Sequence, residues 1–261
     1  MKKNIIGIIG GGNMGEALIK GLRLKNSVRV CEMNATRVKY LRKKYRGVVL
    51  GDLNVLENAS VIILAIKPQD MELLLKQVPV GKNKLFISIA AGLTTKFFEK
   101  HLGGKVRVVR AMPNMPALIG EGITGICAGR FAKNADLKLA QSLLGTIGQT
   151  VIVKEAMMDA VTAVSGSGPA YVFLFVEQWI NAAIKLGFDR FQAKQLVYQT
   201  LLGSAHLLEQ SPLQAADLRV KVTSKGGTTQ AALDVFSKGK FDQLMAKALL
   251  AAKKRAKGLA K

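Results

Sequence analysis

Over the first 153 positions the apolar residues fall into short unbroken runs, separated by stretches of helical spacing. Residues 4–9, 28–31, 61–66, 85–90 and 106–109 are β-rich runs. Between them lie 14–24, a segment around 37–44, Met71–Leu75, and a stretch from Gly92 to about His101. These carry helix-compatible patterns, the first through Ala17, Leu18, Gly21 and Leu22. Short, wholly apolar strands alternating with helices predict a parallel sheet covered on both faces. Residues 123–127 and 151–153 are expected to add edge strands.

Beyond Lys154 the pattern changes, and no further β-rich run bounded by turns appears. Residues 170–186 are apolar nearly all round, with Tyr171, Val172, Phe173, Leu174, Phe175, Val176, Trp179, Ile180 and Ile184. Asp189 is placed to cap a helix running to about Gln210. Ser211 followed by Pro212 reads as an N-cap with proline at the first helical position. Phe241, Leu244, Met245, Ala248, Leu249 and Ala252 form a helical apolar stripe. The expected organisation is therefore residues 1–153 as one domain and 154–261 as an all-helical one. A helix apolar on every face must be surrounded, and so small a domain has few helices to do it. That predicts burial in a homodimer, with room for a higher oligomer of dimers.

Composition narrows the class. The hydrophobic share of 49% with 21% charged residues is that of a folded protein. Two cysteines, Cys31 and Cys127, and two histidines, His101 and His206, offer neither a disulfide scaffold nor a metal site. The opening Met1-Lys2-Lys3 and residues 5–9 imitate a signal peptide, but Gly10 ends the run and no apolar stretch reaches the ~18 residues of a membrane span. A soluble cytoplasmic protein without a membrane partner is expected. The net charge of +22 is spread along the chain, with 24 basic against 9 acidic residues up to 153 and 15 against 8 beyond. Aromatic residues are not interleaved with the basic runs, so nucleic acid is not the expected partner.

Gly10-x-Gly12-x-x-Gly15 follows the first strand and opens the first helix. In that context Gly10 permits a tight turn, Gly12 leaves room for a pyrophosphate, and Gly15 lets helix and strand pack closely. Asn13 and Met14 open the helix whose free N–H groups favour an anion. Glu32 closes the second strand, where an acidic residue meets ribose hydroxyls. The fold class is thus α/β, a Rossmann-type, mostly parallel sheet followed by an all-helical dimerisation domain.

The substrate has to be read elsewhere. The segments AIKP (65–68), RAMPNMPA (110–117), TAVSGSGPAYVF (162–173) and VTSKGGTTQAAL (222–233), with the glycine turn, resemble the pyrroline-5-carboxylate reductase family over essentially the whole chain. That family reduces a cyclic imine carboxylate to proline by hydride transfer from NAD(P)H. The resemblance implies that Ala65, Lys67, Pro68, Ala90, Ala91 and Asn114 help hold the cofactor. It gives Ser224, Gly226, Gly227, Thr228 and Thr229 to the substrate carboxylate and makes Thr162 the hydrogen-bond partner of the imine nitrogen. It implies no metal. On a helix Thr162 can equally bond its own backbone. Glu32 followed by Met33, in place of a small polar residue and Arg, favours NADH over NADPH, while Arg37 lies a helical turn away and could swing in.

Three positions depart from the family pattern: Met115 for Thr, Val220 for Asp and Lys225 for Pro. A paralogous imine or 3-hydroxyacid reductase, or a non-catalytic nucleotide-binding protein, remain as alternatives on the residues alone.

Overall fold

The computed structural model describes residues 4–81 and 83–258; the charged opening Met1-Lys2-Lys3 lies outside them. The strands are β1 (Ile5–Ile9), β2 (Ser27–Cys31), β3 (Val49–Gly51), β4 (Val61–Leu64), β5 (Leu85–Ser88), β6 (Arg107–Met112), β7 (Gly122–Ala128) and β8 (Gly148–Ile152). In the same region lie helices α1 (Asn13–Leu22), α2 (Ala35–Lys44), α3 (Met71–Leu75), α4 (Thr95–His101), α5 (Asn134–Leu144) and α6 (Met158–Val161). There follow α7 (Gly168–Lys185), α8 (Arg190–Gln210), α9 (Ala215–Lys221), α10 (Thr228–Lys238) and α11 (Phe241–Gly258).

The strands make one sheet in the order β3-β2-β1-β4-β5-β6-β7-β8. All neighbours run parallel except β6 with β7. The chain starts mid-sheet at β1, works outward to β3, then returns to the other side of β1. That reversal leaves a crevice at the carboxyl ends of β1 and β4. Side chains alternate across the strands into two cores. Ile6, Ile8 and Ile63 pack with Leu18 and Leu22 of α1, Leu41 of α2 and Leu144 of α5. Ile62, Leu64 and Phe86 pack with Met71 of α3 and with Phe98 and Leu102 at α4. The run at 5–9 that imitates a leader is thus the centre of the sheet, with Ile6 and Ile8 fully buried. Burying both faces of a strand requires the continuous apolar runs seen in the sequence.

Several sequence expectations shift. The strand expected at 123–127 is interior, between β6 and β8, so β3 and β8 form the edges. The helix expected after Ser211 starts at Ala215, with Gln214 as its cap and Asp217 completing a reciprocal pair. Ser211 instead ends α8, and its hydroxyl accepts from the Leu213 N–H at 3.1 Å. Asp189 does cap α8, its carboxylate accepting from the Gln192 N–H at 2.8 Å. The segment 165–169, whose glycines and proline ordinarily interrupt a helix, is instead carried by a π turn, Thr162–Gly166, into α7. As a result Glu155–Lys185 is one helical run, long and apolar enough to cross a membrane, with mean hydropathy 1.2 over its best window. This overturns the expectation that no apolar stretch reaches the length of a membrane span.

Two compact units divide after Pro169. One holds the residues up to Pro169 and those from Ala251 onward; the other is Ala170–Leu250. The change of sequence character at 153/154 comes earlier because residues 155–161 are tied to the sheet. The Glu155 carboxylate accepts from the Thr95 N–H and hydroxyl, both at 2.7 Å, and Arg110 reaches Asp159 at 3.3 Å. Cys127 lies in this buried region, and burial, with Glu155 nearby, pushes its thiol up to about 12.

Candidate active site

The glycine turn joins β1 to α1. Gly10 has φ +101°, a left-handed conformation, and a side chain there would run into the Ala65 carbonyl at 2.5 Å. Gly15 faces the Gly10 carbonyl so closely that a Cβ would collide with it. At Gly12 a Cβ would meet nothing within 4 Å. Two of the glycines are therefore demanded by the protein itself, whereas Gly12 keeps clear a space on the open side of the turn. Gly12 is also the N-cap of α1 and carries no capping side chain, so the N–H groups of Asn13 and Met14 point at that space uncapped. Pyrophosphate fits this arrangement.

Glu32 follows β2 directly. Its carboxylate accepts from the Gly11 N–H at 2.7 Å and the Asn34 N–H at 2.8 Å. It lines a cavity of about 750 Å³ at the strand ends, with Gly10, Cys31, Asp52, Ile66 and Asp70 among its walls. Three carboxylates, Glu32, Asp52 and Asp70, face it, and among the described residues no lysine or arginine does. In a chain of net charge +22 this is a local inversion of sign. Burial, with Asp52 and Glu32 adding to it, pushes the Cys31 thiol up.

Further along the carboxyl edge, Ala65 follows β4, and exposed Lys67 and Pro68 open a short 3₁₀ turn, Pro68–Asp70. Ala90 and Ala91 follow β5, with the Ala90 N–H donating to the Ser88 hydroxyl at 3.2 Å. Asn114 follows β6. Its side-chain oxygen accepts from the Ile123 N–H at 2.9 Å, which leaves its NH₂ as the end able to meet a ligand. These residues all follow strands of the same sheet on its carboxyl rim. Thr162 is 9% exposed at the start of the π turn, and its hydroxyl donates to the Met158 carbonyl at 3.0 Å. Single π turns in helices concentrate at functional sites.

The loop 224–229 belongs to the helical unit and is described within it. Gly226 has φ +70°, and the Gly227 N–H closes a turn on the Ser224 carbonyl at 3.0 Å. Gly227 is the N-cap of α10 without a capping side chain, so the N–H groups of Thr228 and Thr229 are uncapped beside their own hydroxyls. That is an uncapped helix start of the same kind as the glycine turn. The three departures from the family pattern are all solvent-facing: Met115 is 53% exposed, Val220 67%, and Lys225 is exposed. Val220 borders a cavity of about 780 Å³ lined by residues of α7, α9, α10 and α11.

The sequence reading leaves out Asp52, Asp70 and Glu16. The first two are brought to the ribose end of the crevice by a 3₁₀ turn and its neighbour, whose positions carry no periodicity. Glu16 is visible as the residue after Gly15, but its partners come from α2.

A sheet of this order with an uncapped glycine turn and an acidic ribose end defines a dinucleotide-binding oxidoreductase. Residues 155–259 match the model for pyrroline-5-carboxylate reductase dimerisation, and residues 5–92 match that for coenzyme F420-dependent NADP oxidoreductases. The chain is 38% identical to a pyrroline-5-carboxylate reductase of Mycobacterium tuberculosis, over 97% of this chain and 96% of that one. A solved pyrroline-5-carboxylate reductase of Coxiella burnetii superposes with TM-score 0.92 at 36% identity, covering 100% of both chains. A Plasmodium falciparum pyrroline carboxylate reductase with NADP bound gives 0.87 at 30%, again over 100% of both. The chain belongs to the pyrroline-5-carboxylate reductase family.

Proposed function

We propose that the chain reduces 1-pyrroline-5-carboxylate to L-proline with NAD(P)H, that NADH is the preferred donor, and that it works as a cytoplasmic homodimer. The observation that carries the reaction is the uncapped glycine turn in a chain that resembles these reductases from end to end. NAD(P)H, when bound, supplies the hydride. The protein's part is to position and to set charge. Thr228, Thr229 and Ser224 hold the substrate carboxylate through hydroxyls and helix N–H groups. The NH₂ of Asn114 meets the nicotinamide carboxamide. Because the Thr162 hydroxyl gives its proton to Met158, only its lone pairs are free for a ligand. It therefore accepts from a protonated imine N–H, which means the imine nitrogen is already protonated when it is engaged. The product amine keeps that proton, and the hydride completes the C–H bond.

The preference for NADH rests on the three carboxylates of the ribose end. A 2′-phosphate at ~4–5 Å from Glu32 meets repulsion of about 3–4 kcal/mol per unit charge at an effective dielectric near ~20, before salt screening. The Plasmodium relative, with NADP bound, shows that the family also takes the phosphorylated form. Turnover with the cyclic imine and each cofactor tests both statements. The expected result is proline formation with kcat/KM for NADH at least about tenfold above NADPH, and a Glu32→Ser enzyme in which the gap narrows or reverses. No turnover refutes the reaction; equal use of the two cofactors, or unchanged selectivity in Glu32→Ser, refutes the preference.

The dimer assignment rests on the exposed apolar faces of α7 and α8. A second copy of this chain, rather than lipid, covers them, since Glu177, Gln178 and Asn181 are interspersed along α7. A reducing cytoplasm suits Cys31 and Cys127, both buried as free thiols.

A further inference from the structure

The cation expected to reach a 2′-phosphate is Arg37, in the first turn of α2. In the structure it is held at two of its nitrogens and at its face, and its side chain is 24% exposed. Its Nε donates to the Gly11 carbonyl at 2.5 Å, a terminal nitrogen pairs with the Glu16 carboxylate, and its guanidinium lies 4.8 Å over the Tyr40 ring. Gly11 is thus held by its N–H from Glu32 and by its C=O from Arg37. The guanidinium therefore sits one residue's width from the carboxylate that marks the ribose, close enough to serve a phosphate there, yet it is turned onto Glu16.

Glu16 stands one position beyond Gly15, in the first turn of α1. Its carboxylate, 13% exposed, gathers four donors from α2 and its end: Arg37, Lys44 at 2.8 Å, Tyr40 at 3.0 Å and Tyr45 at 2.9 Å. A negative charge in the first turn of α1 suits the helix dipole, but it lies close to the turn that receives phosphates. Its gain is that it occupies both nearby cations, Arg37 and Lys44. Burial alone would raise its pKa, but the hydrogen bonds from Lys44, Tyr45, Tyr40 and Arg37 outweigh it and bring the carboxyl to about 2. The arrangement therefore stays closed at any neutral pH.

We infer that Glu16 is a positioning residue for cofactor selectivity: it withholds Arg37 from the 2′-phosphate, so that the ribose end presents only carboxylates. The inference rests on the NADH reading above and adds a second determinant, outside the cavity wall, that acts through Arg37. For a phosphate to draw the guanidinium away, a charge-assisted hydrogen bond in a partly buried place must break.

The test is a fluorescence titration of the full-length enzyme with NADPH and with NADH in the absence of imine, with steady-state kinetics on the cyclic imine beside it; each is read as the ratio of preference for NADPH over NADH, by association constant and by kcat/KM. Glu16→Gln should raise the ratio about tenfold, the scale of one hydrogen bond to a charged group. Arg37→Ala alone should leave it within about twofold, and adding Arg37→Ala to Glu16→Gln should abolish the gain. A purely structural Glu16 would lower both cofactors together and leave the ratio still. An unchanged ratio in a folded Glu16→Gln dimer overturns the inference, as does a tenfold fall in Arg37→Ala alone. Should Glu16→Gln not fold, Glu32→Ser decides with and without Arg37→Ala: equal ratios mean Arg37 is withheld, and a drop on losing Arg37 means it is free. A wild type that prefers NADPH would refute the NADH reading only, because Glu16 is judged by the change in the ratio and not by its starting value.

Discussion

The sheet unit and the helical unit treat apolar side chains in opposite ways. Every residue of β4 and β5 is buried, and Ile6, Ile8, Ile63, Phe86 and Phe98 are 0% exposed. In α7 only Ala183 is buried out of 18 residues, and in α8 only Ala193 and Val197 out of 21. Phe173 is 58% exposed, Leu174 57% and Phe191 75%. The sheet completes its core within one chain because helices cover both of its faces. The helical unit has apolar surface of the same chemistry that its own helices leave uncovered. Exposed apolar surface on this scale marks an interface. The sheet unit is therefore a self-sufficient scaffold, and the helical unit carries the face that a dimerisation domain presents to a second copy.

The comparison breaks most easily at the helical face. Replacing Leu174 and Phe173 with Glu should dissociate the dimer, and with it nearly all activity, while the sheet unit keeps its secondary structure. Light scattering at micromolar concentration and circular dichroism check the two halves separately. A wild-type chain that is a stable monomer at that concentration would remove the basis of the contrast, since the apolar helices would then be tolerated in water.

The second prediction sharpens the division of labour between the two anion sites. The glycine turn and the 224–229 loop are both uncapped helix starts, and they should respond independently. Ser224→Ala with Thr229→Val should raise KM for the imine acid and cost at least about tenfold in kcat/KM, at ~1.5–3 kcal/mol per hydrogen bond to a charge. The dissociation constant for NADH, measured by fluorescence titration, should stay nearly constant. A collapse of cofactor binding instead would mean that the loop serves the other site.

How far each half can be read from sequence follows the same contrast. Strands β1, β4 and β5 are legible because burial on both faces leaves them apolar but for Ser88 at the end of β5. Strand β3 is not, since it is three residues at an edge with Val49 exposed. The interior place of β7 is hidden because GITGICA has two glycines and no signal of direction. Gly10 and Gly15 are legible because a side chain cannot exist there. The acidic ribose end is legible only at Glu32; Asp52 and Asp70 arrive through the fold. At 165–169, the last residues of the sheet unit before Ala170, the sequence misleads, because glycines that would break an isolated helix ride through a π turn anchored by the Ser167 N–H to the Thr162 carbonyl at 2.8 Å. Ser211 misleads for a different reason: it is a good cap, but α8 has already taken it as its end.

The smallest predicted effect separates the two units by pH. Glu16 belongs to the sheet unit, and its carboxyl is brought from an ordinary 4.5 to about 2 by its four donors. A carboxyl whose pKa is lowered by folding binds fewer protons in the native state than in the unfolded one. It stabilises the fold fully above about pH 4.5 and loses that contribution as the pH falls toward about 2. The acid-unfolding curve of the sheet unit, followed by Tyr fluorescence from the Tyr40 and Tyr45 cluster, should therefore steepen in that window. Glu16→Gln should flatten it there while leaving the curve above pH 5 parallel to wild type. The dissociation of the helical unit, which rests on apolar contact, should show no matching change between the two proteins. An identical acid limb in the variant would mean that the four hydrogen bonds persist in the unfolded chain or contribute nothing to the fold.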